Sequence, residues 1–121
     1  MNFDRSTAIS LEDICRRNLK GTVLDIFYII MLNNNISKKE IIQHFLNYDT
    51  DTTAKATKYR LLVDVGIAKL EGAMLIECWR EGKNHPYTLT AYGHEAKEIM
   101  RNLFEEDSSM CYGSKVMVHA T

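Results

Sequence analysis

The chain has 121 residues, a formal net charge of −1, 45% hydrophobic and 26% charged side chains, one proline and three cysteines. That length suits one domain with its own core, and the balance is globular, not the low-hydrophobicity composition of a disordered chain. No run is apolar for the ~18 residues of a membrane span; the stretch Val23 to Leu32 is short and contains Asp25.

Taken in chain order, residues 1–9 read as a short arm. Ser10-Leu11-Glu12-Asp13 approximates a capping box, and Ile14, Cys15 and Leu19 recur at helical spacing, so a helix is expected to about Lys20. Gly21 interrupts it. Thr22 is expected to cap a second helix with Asp25 in its first turn, where a carboxylate suits the helix dipole. Val23, Leu24, Ile26, Phe27, Ile30 and Met31 leave that helix apolar on most faces, which predicts a buried central helix. Asn33-Asn34-Asn35 stops it, because asparagine tolerates the left-handed conformation. Ser37-Lys38-Lys39-Glu40 is a full capping box, with Ile36 and Ile41 placed as a hydrophobic staple. Ile41, Ile42, Phe45 and Leu46 form the stripe of a short helix, and residues 47–51 form a turn.

From Thr52 to Val65 a further helix is expected, polar in its first half and apolar in its second, ended by Gly66 at positive φ. Ile67–Leu70 and Met74–Arg80 read as strand, with Gly72 as a bulge between them. Residues 81–84 form a hairpin tip, and Pro86 to Leu89 the returning strand. A final helix starts at Ala91, with Ala96, Ile99, Met100, Leu103 and Phe104 at helical spacing; beyond Asp107 the pattern is weak. The expected organisation is an arm over 1–9, one domain over 10–106 and a tail over 107–121.

The order helix, helix, Lys/Arg-bearing helix, glycine and hairpin, closed by Tyr87-Thr88-Leu89-Thr90-Ala91-Tyr92-Gly93 and a helix, resembles the winged helix-turn-helix regulators. MarR-, PadR- and ArsR-like families are similar, and the TubR-type centromere-binding proteins of plasmids and phages share the plan. The resemblance covers residues 22–104, with Leu62-Val63-Asp64-Val65-Gly66-Ile67 as its other sharp part. It implies an α+β, mostly α fold with a β-hairpin wing and extra terminal helices. It also implies that residues early in the third helix read bases in the major groove while wing-tip residues touch the backbone or minor groove. Carried onto this chain, those are Thr52, Thr53, Lys55, Thr57 and Lys58, then Arg80, Lys83 and Asn84. Arg60 joins Lys55 and Lys58 as a long donor suited to base readout.

Charge shapes the functional expectation. Residues 36–90 carry eight basic side chains against seven acidic, and residues 91–121 carry three against five. Phosphate neutralisation by one such domain is weak, so two copies on one duplex are expected. Apolar stripes on the terminal helices (Ile14, Leu19, Ile99, Met100, Leu103, Phe104) supply the homodimer interface in that reading. The expected function is a transcriptional repressor on double-stranded DNA, with Thr53, Thr57 and Lys58 reading bases and Lys83 holding phosphate. The alternatives are a partition adaptor that coats repeated sites, and a winged helix used only for protein interaction. RNA polymerase or a partition motor protein is the further partner implied, and no membrane.

Cys15, Cys78 and Cys111 are odd in number and widely spaced, and with no basic-then-apolar run at the N-terminus no signal peptide is expected, so a reducing, cytoplasmic setting is the expectation. His44, His85, His94 and His119 share no tight ligand spacing with them, so neither a metal nor another cofactor is expected. Without a Gly-rich phosphate loop, nucleophile elbow or paired-carboxylate motif, no catalytic residues are expected and the chain is not read as an enzyme.

Overall fold

Serine caps start two of the helices. Ser10 Oγ accepts the Asp13 N–H at 3.1 Å and Asp13 accepts the Ser10 N–H at 3.3 Å, opening α1 (Leu11–Asn18). Ser37 and Glu40 exchange the same pair of bonds, at 3.2 and 3.4 Å, and open α3 (Lys38–Asn47). Each box satisfies two N–H groups that a helix start otherwise leaves without partners. Ile36 and Ile41, on either side of the second cap, are both buried in the same core, as a staple requires.

The computed structural model describes residues 9–80, 82–83 and 85–107. Its architecture is α+β and mostly helical, with five α-helices and one two-stranded antiparallel hairpin among the described residues. Between the two serine-capped helices runs α2 (Gly21–Leu32). Val23, Leu24, Ile26, Phe27, Ile29 and Ile30 are all buried, so this helix is the central strut against which α3, a later helix (Arg60–Gly72) and a strand (Tyr87–Leu89) pack. Fully burying a side chain of this size contributes about 1.5–3 kcal/mol. Its start differs from expectation: Gly21 is already helical with φ +54°, Lys20 holds the cap position without a side-chain bond, and Thr22 lies inside the first turn. Asp25 therefore falls in the second turn, where it is the buried charged side chain of the core. Asn35 ends the excursion in the left-handed region, φ +64°.

The larger correction lies between Thr52 and Leu75. Residues 52–55 are turn and loop, Ala56–Lys58 form one 3₁₀ turn, and the next helix, α4, runs Arg60–Gly72. Ile67–Leu70, expected as strand, is helix, and Gly66 is a mid-helix residue, not a stop. Val63, Gly66, Ile67 and Leu70 form the buried stripe of α4, at i, i+3, i+4 and i+7. Gly66 marks the close approach of α4 to α2, where a Cβ would meet the Cδ1 methyl of Ile26.

The real stop is a Schellman motif. Leu75 N–H returns to the Leu70 carbonyl at 3.0 Å, Met74 N–H to that of Glu71 at 2.9 Å, and Met74 takes the left-handed turn at φ +62°. Leu70 and Leu75, both fully buried, make the apolar contact that accompanies this motif.

The hairpin follows. Strand β1 (Ile76–Cys78) pairs with β2 (Tyr87–Leu89) in the register Ile76–Leu89, Glu77–Thr88, Cys78–Tyr87. It is shorter than the expected Met74–Arg80 strand, although Trp79 N–H still reaches the Pro86 carbonyl at 2.9 Å. Ile36 bridges the outer side of β2, exchanging both backbone bonds with Tyr87. The last helix, α5 (Ala91–Glu106), begins as expected, with Thr90 as its cap. It packs on α1, and Arg16 lies 4.0 Å from Glu106 where the two helices meet.

Candidate nucleic-acid interface

The six candidate positions before and at the start of α4 are all exposed: Thr52, Thr53, Lys55, Thr57, Lys58 and Arg60. Only Arg60 belongs to the helix itself; the others occupy the approach to it. Their conformation follows from two aspartates. Asp49 accepts the Asp51 N–H at 2.8 Å, and Asp51 accepts the Thr53 N–H at 2.9 Å together with its hydroxyl at 2.6 Å. These side chain–backbone bonds compete with the helical ladder and delay its start. Thr53 is therefore committed to Asp51.

Lys58 is committed as well. Its ammonium contacts the Asp49 carboxylate at 2.7 Å, and the Tyr59 hydroxyl donates to the same oxygen. Those two partners hold the Asp49 carboxyl well below the usual carboxylate range. Burial, followed by Asp49, pushes the Tyr59 phenol up. Tyr59 stacks on Phe45 of α3 at 5.4 Å between ring centroids, so this network locks the turn between α3 and α4. Lys58, expected to read bases, is an exposed side chain that also bridges the two helices through Asp49.

The outward face of α4 is apolar where a base-reading helix needs donors. Leu61, Val65, Ala68 and Gly72 lie along it at i, i+4, i+7 and i+11, with Leu61 73% and Val65 44% exposed. Asp64 flanks them and ion-pairs at 2.6 Å with Lys38 of α3, which raises the lysine's affinity for its proton.

In the hairpin, Arg80 and Lys83 are exposed; Asn84 lies outside the described residues. Both cations line a groove of about 700 Å³ whose other wall is the start of α3, with Lys38 and Lys39. In the sequence this lysine pair shows only as part of the Ser37 capping box. Its signal was position: lysine in the first turn opposes the helix dipole, an unfavourable placement unless something negative lies near.

The expected dimer residues divide in two. Leu19, Met100 and Leu103 are buried in the chain's own core, because α1 and α5 cover each other; Ile14, Ile99 and Phe104 remain half-buried. Phe104 borders a second groove, about 550 Å³, between α2 and α5, lined also by Leu24, Tyr28, Met31, Lys97 and Arg101.

Of the cysteines, Cys15 is fully buried and Cys78 half-buried, both free thiols; Cys111 lies outside the described residues. Burial pushes the Cys15 thiol up to about 11. Among the described residues no three His, Cys, Asp or Glu side chains converge as metal ligands, and no helix is long and apolar enough to cross a membrane. No protein-family model matches the chain, and a search of characterised proteins also returns no match.

Proposed function

We propose that the chain is a duplex-DNA-binding protein on a winged helix-turn-helix plan, acting as a homodimer and repressing transcription by occupying a promoter. One observation carries the reading. A capped helix (α3), a locked turn and an amphipathic helix (α4) lead directly into a hairpin whose outer end bears exposed Arg80 and Lys83. In this reading Thr57 and Arg60 approach the bases and the wing cations touch phosphate, a division of labour that such domains use. The half-buried Phe104 and the groove beside it are the surface left for the second copy.

A second reading draws on the apolar outer face of α4. Leu61, Leu62 and Val65, all exposed, suit a protein partner better than a base edge, so a protein-interaction role for the same helix stands beside DNA binding. Affinity capture of fragmented DNA from the source replicon at near-physiological salt, followed by sequencing, separates the readings. Isolated sites at promoters support the repressor. A cluster of direct repeats moves the reading to a partition adaptor, and no enrichment over bulk DNA moves it to protein interaction.

A further inference from the structure

We infer that the groove between the start of α3 and the wing is a seat for one phosphate strand of the duplex, with the Cys78 thiol in its wall. The inference rests on the duplex-DNA reading above and adds to it a site and a mode of contact.

Two elements far apart in sequence supply four permanent positive charges to one groove: Lys38 and Lys39 from α3, Arg80 and Lys83 from the wing. His85 lines it too and adds a fifth donor. The fold enforces this proximity. Ile36, one residue before the Ser37 cap, is hydrogen-bonded to Tyr87, so the first turn of α3 is fastened beside Cys78–Tyr87, the strand pair nearest the loop of the hairpin. Nearby acids meet only part of that charge: Asp64 takes Lys38, Glu71 lies close enough to act on Lys38 as well, and Glu40 is turned into the Ser37 cap. Lys39 and Lys83 are exposed.

The ligand class follows from the groove's chemistry. It is open, shared between two elements and furnished with long flexible cations, which suits a run of phosphates and not a single buried anion. Such contacts position a duplex and carry no sequence information. A Lys39→Ala/Lys83→Ala double variant should therefore lose affinity for every duplex alike, and the salt dependence of binding should flatten.

The test uses the full chain, a 30-base-pair duplex of mixed sequence, and fluorescence anisotropy over a KCl series. The slope of log K against log[KCl] should fall by about 2 in the double variant, one for each phosphate contact removed. Cys78 gives an independent readout by N-ethylmaleimide labelling with peptide-resolved mass spectrometry. Cys15, buried and protonated, should stay unlabelled in the native protein. With duplex at ten times Kd, labelling of Cys78 should slow about tenfold, as its free fraction falls. If the parent binds but the double variant keeps its slope, or Cys78 reacts as fast with duplex as without, the groove is not the seat, though DNA binding stands. If no duplex binds the parent at 50 mM KCl, the groove and the DNA reading fall together.

Discussion

Gly93 is the position where one methyl group should do most damage. It is the third residue of α5, its N–H donates to the Thr90 cap at 3.0 Å, and it lies against the end of the α4–β1 turn. A Cβ there would overlap the Leu75 carbonyl oxygen and sit 3.1 Å from Leu89 Cβ. Unlike a clash with a side-chain tip, this one cannot be relieved by a rotamer change. The Leu75 carbonyl also accepts the Thr90 N–H at 3.0 Å, and Leu75 is fully buried. Either α5 moves off the hairpin or its first turn opens. Overpacking of this kind costs about 1–3 kcal/mol, and a disturbed Thr cap about 1 more. The better helix propensity of alanine returns no more than about 1 kcal/mol. Because the obstacle is main chain, the upper part of that range applies, and Gly93→Ala should lose about 2–3 kcal/mol. Urea unfolding followed by far-ultraviolet circular dichroism measures this directly. With a slope of about 1–3 kcal/mol per molar for a domain of this size, the midpoint should drop by about 1–2 M. A midpoint within about 0.3 M of the parent, at equal slope, would refute the close approach of α5 to Leu75.

Further expectations concern other joints of the fold. Met74→Gly should raise stability by about 0.5–1 kcal/mol in the same assay, because Met74 is exposed in a left-handed conformation that glycine adopts freely; an unchanged or lower midpoint would speak against the Schellman closure. Asp49→Asn should lower stability at pH 7. The folded carboxyl titrates below its unfolded value, so its contribution is complete above about pH 5 and is lost as pH falls through the folded value. The gap between parent and variant should thus close in acid, and a gap that widens there would contradict the Asp49 network. Leu103→Asp places a charge in the chain's own core and should unfold it, whereas Phe104→Asp should leave the fold intact and shift a dimer to monomer by light scattering. A folded Phe104→Asp dimer would exclude that groove as the interface.

The sequence announced elements whose determinants are local. The boxes at Ser10 and Ser37, the Asn33–Asn35 stop and the α5 stripe are satisfied within a few residues of where they are written. It misled where a distant partner decides. Gly66 resembles a helix stop, and only the packing of α4 on Ile26 of α2 shows that it marks a close approach between helices instead. The buried set Val63, Gly66, Ile67, Leu70 has unbroken helical spacing, and it was hidden by treating that glycine as punctuation. The true stop falls on a methionine, which carries no such signal. The candidate site divides in the same way. Arg80 and Lys83 were legible as a charged hairpin tip, but Lys39 reaches their groove through the Ile36–Tyr87 bridge, a pairing between residues about fifty positions apart.

The contact of α1 with α5 joins the two ends of the described chain, and it has a consequence for the order in which the fold opens. Each helix covers the other, with Cys15 and Leu19 on one side and Met100 and Leu103 on the other drawn into the common core. Closing a loop from one terminus to the other is the largest chain-entropy cost in the domain and is recovered only once both helices dock. The two outermost helices should therefore open ahead of the α2–α4 centre and exchange amide hydrogens sooner than it does. Removing α1 should loosen the far end of α5, while its first turn stays held against Leu75 and the hairpin.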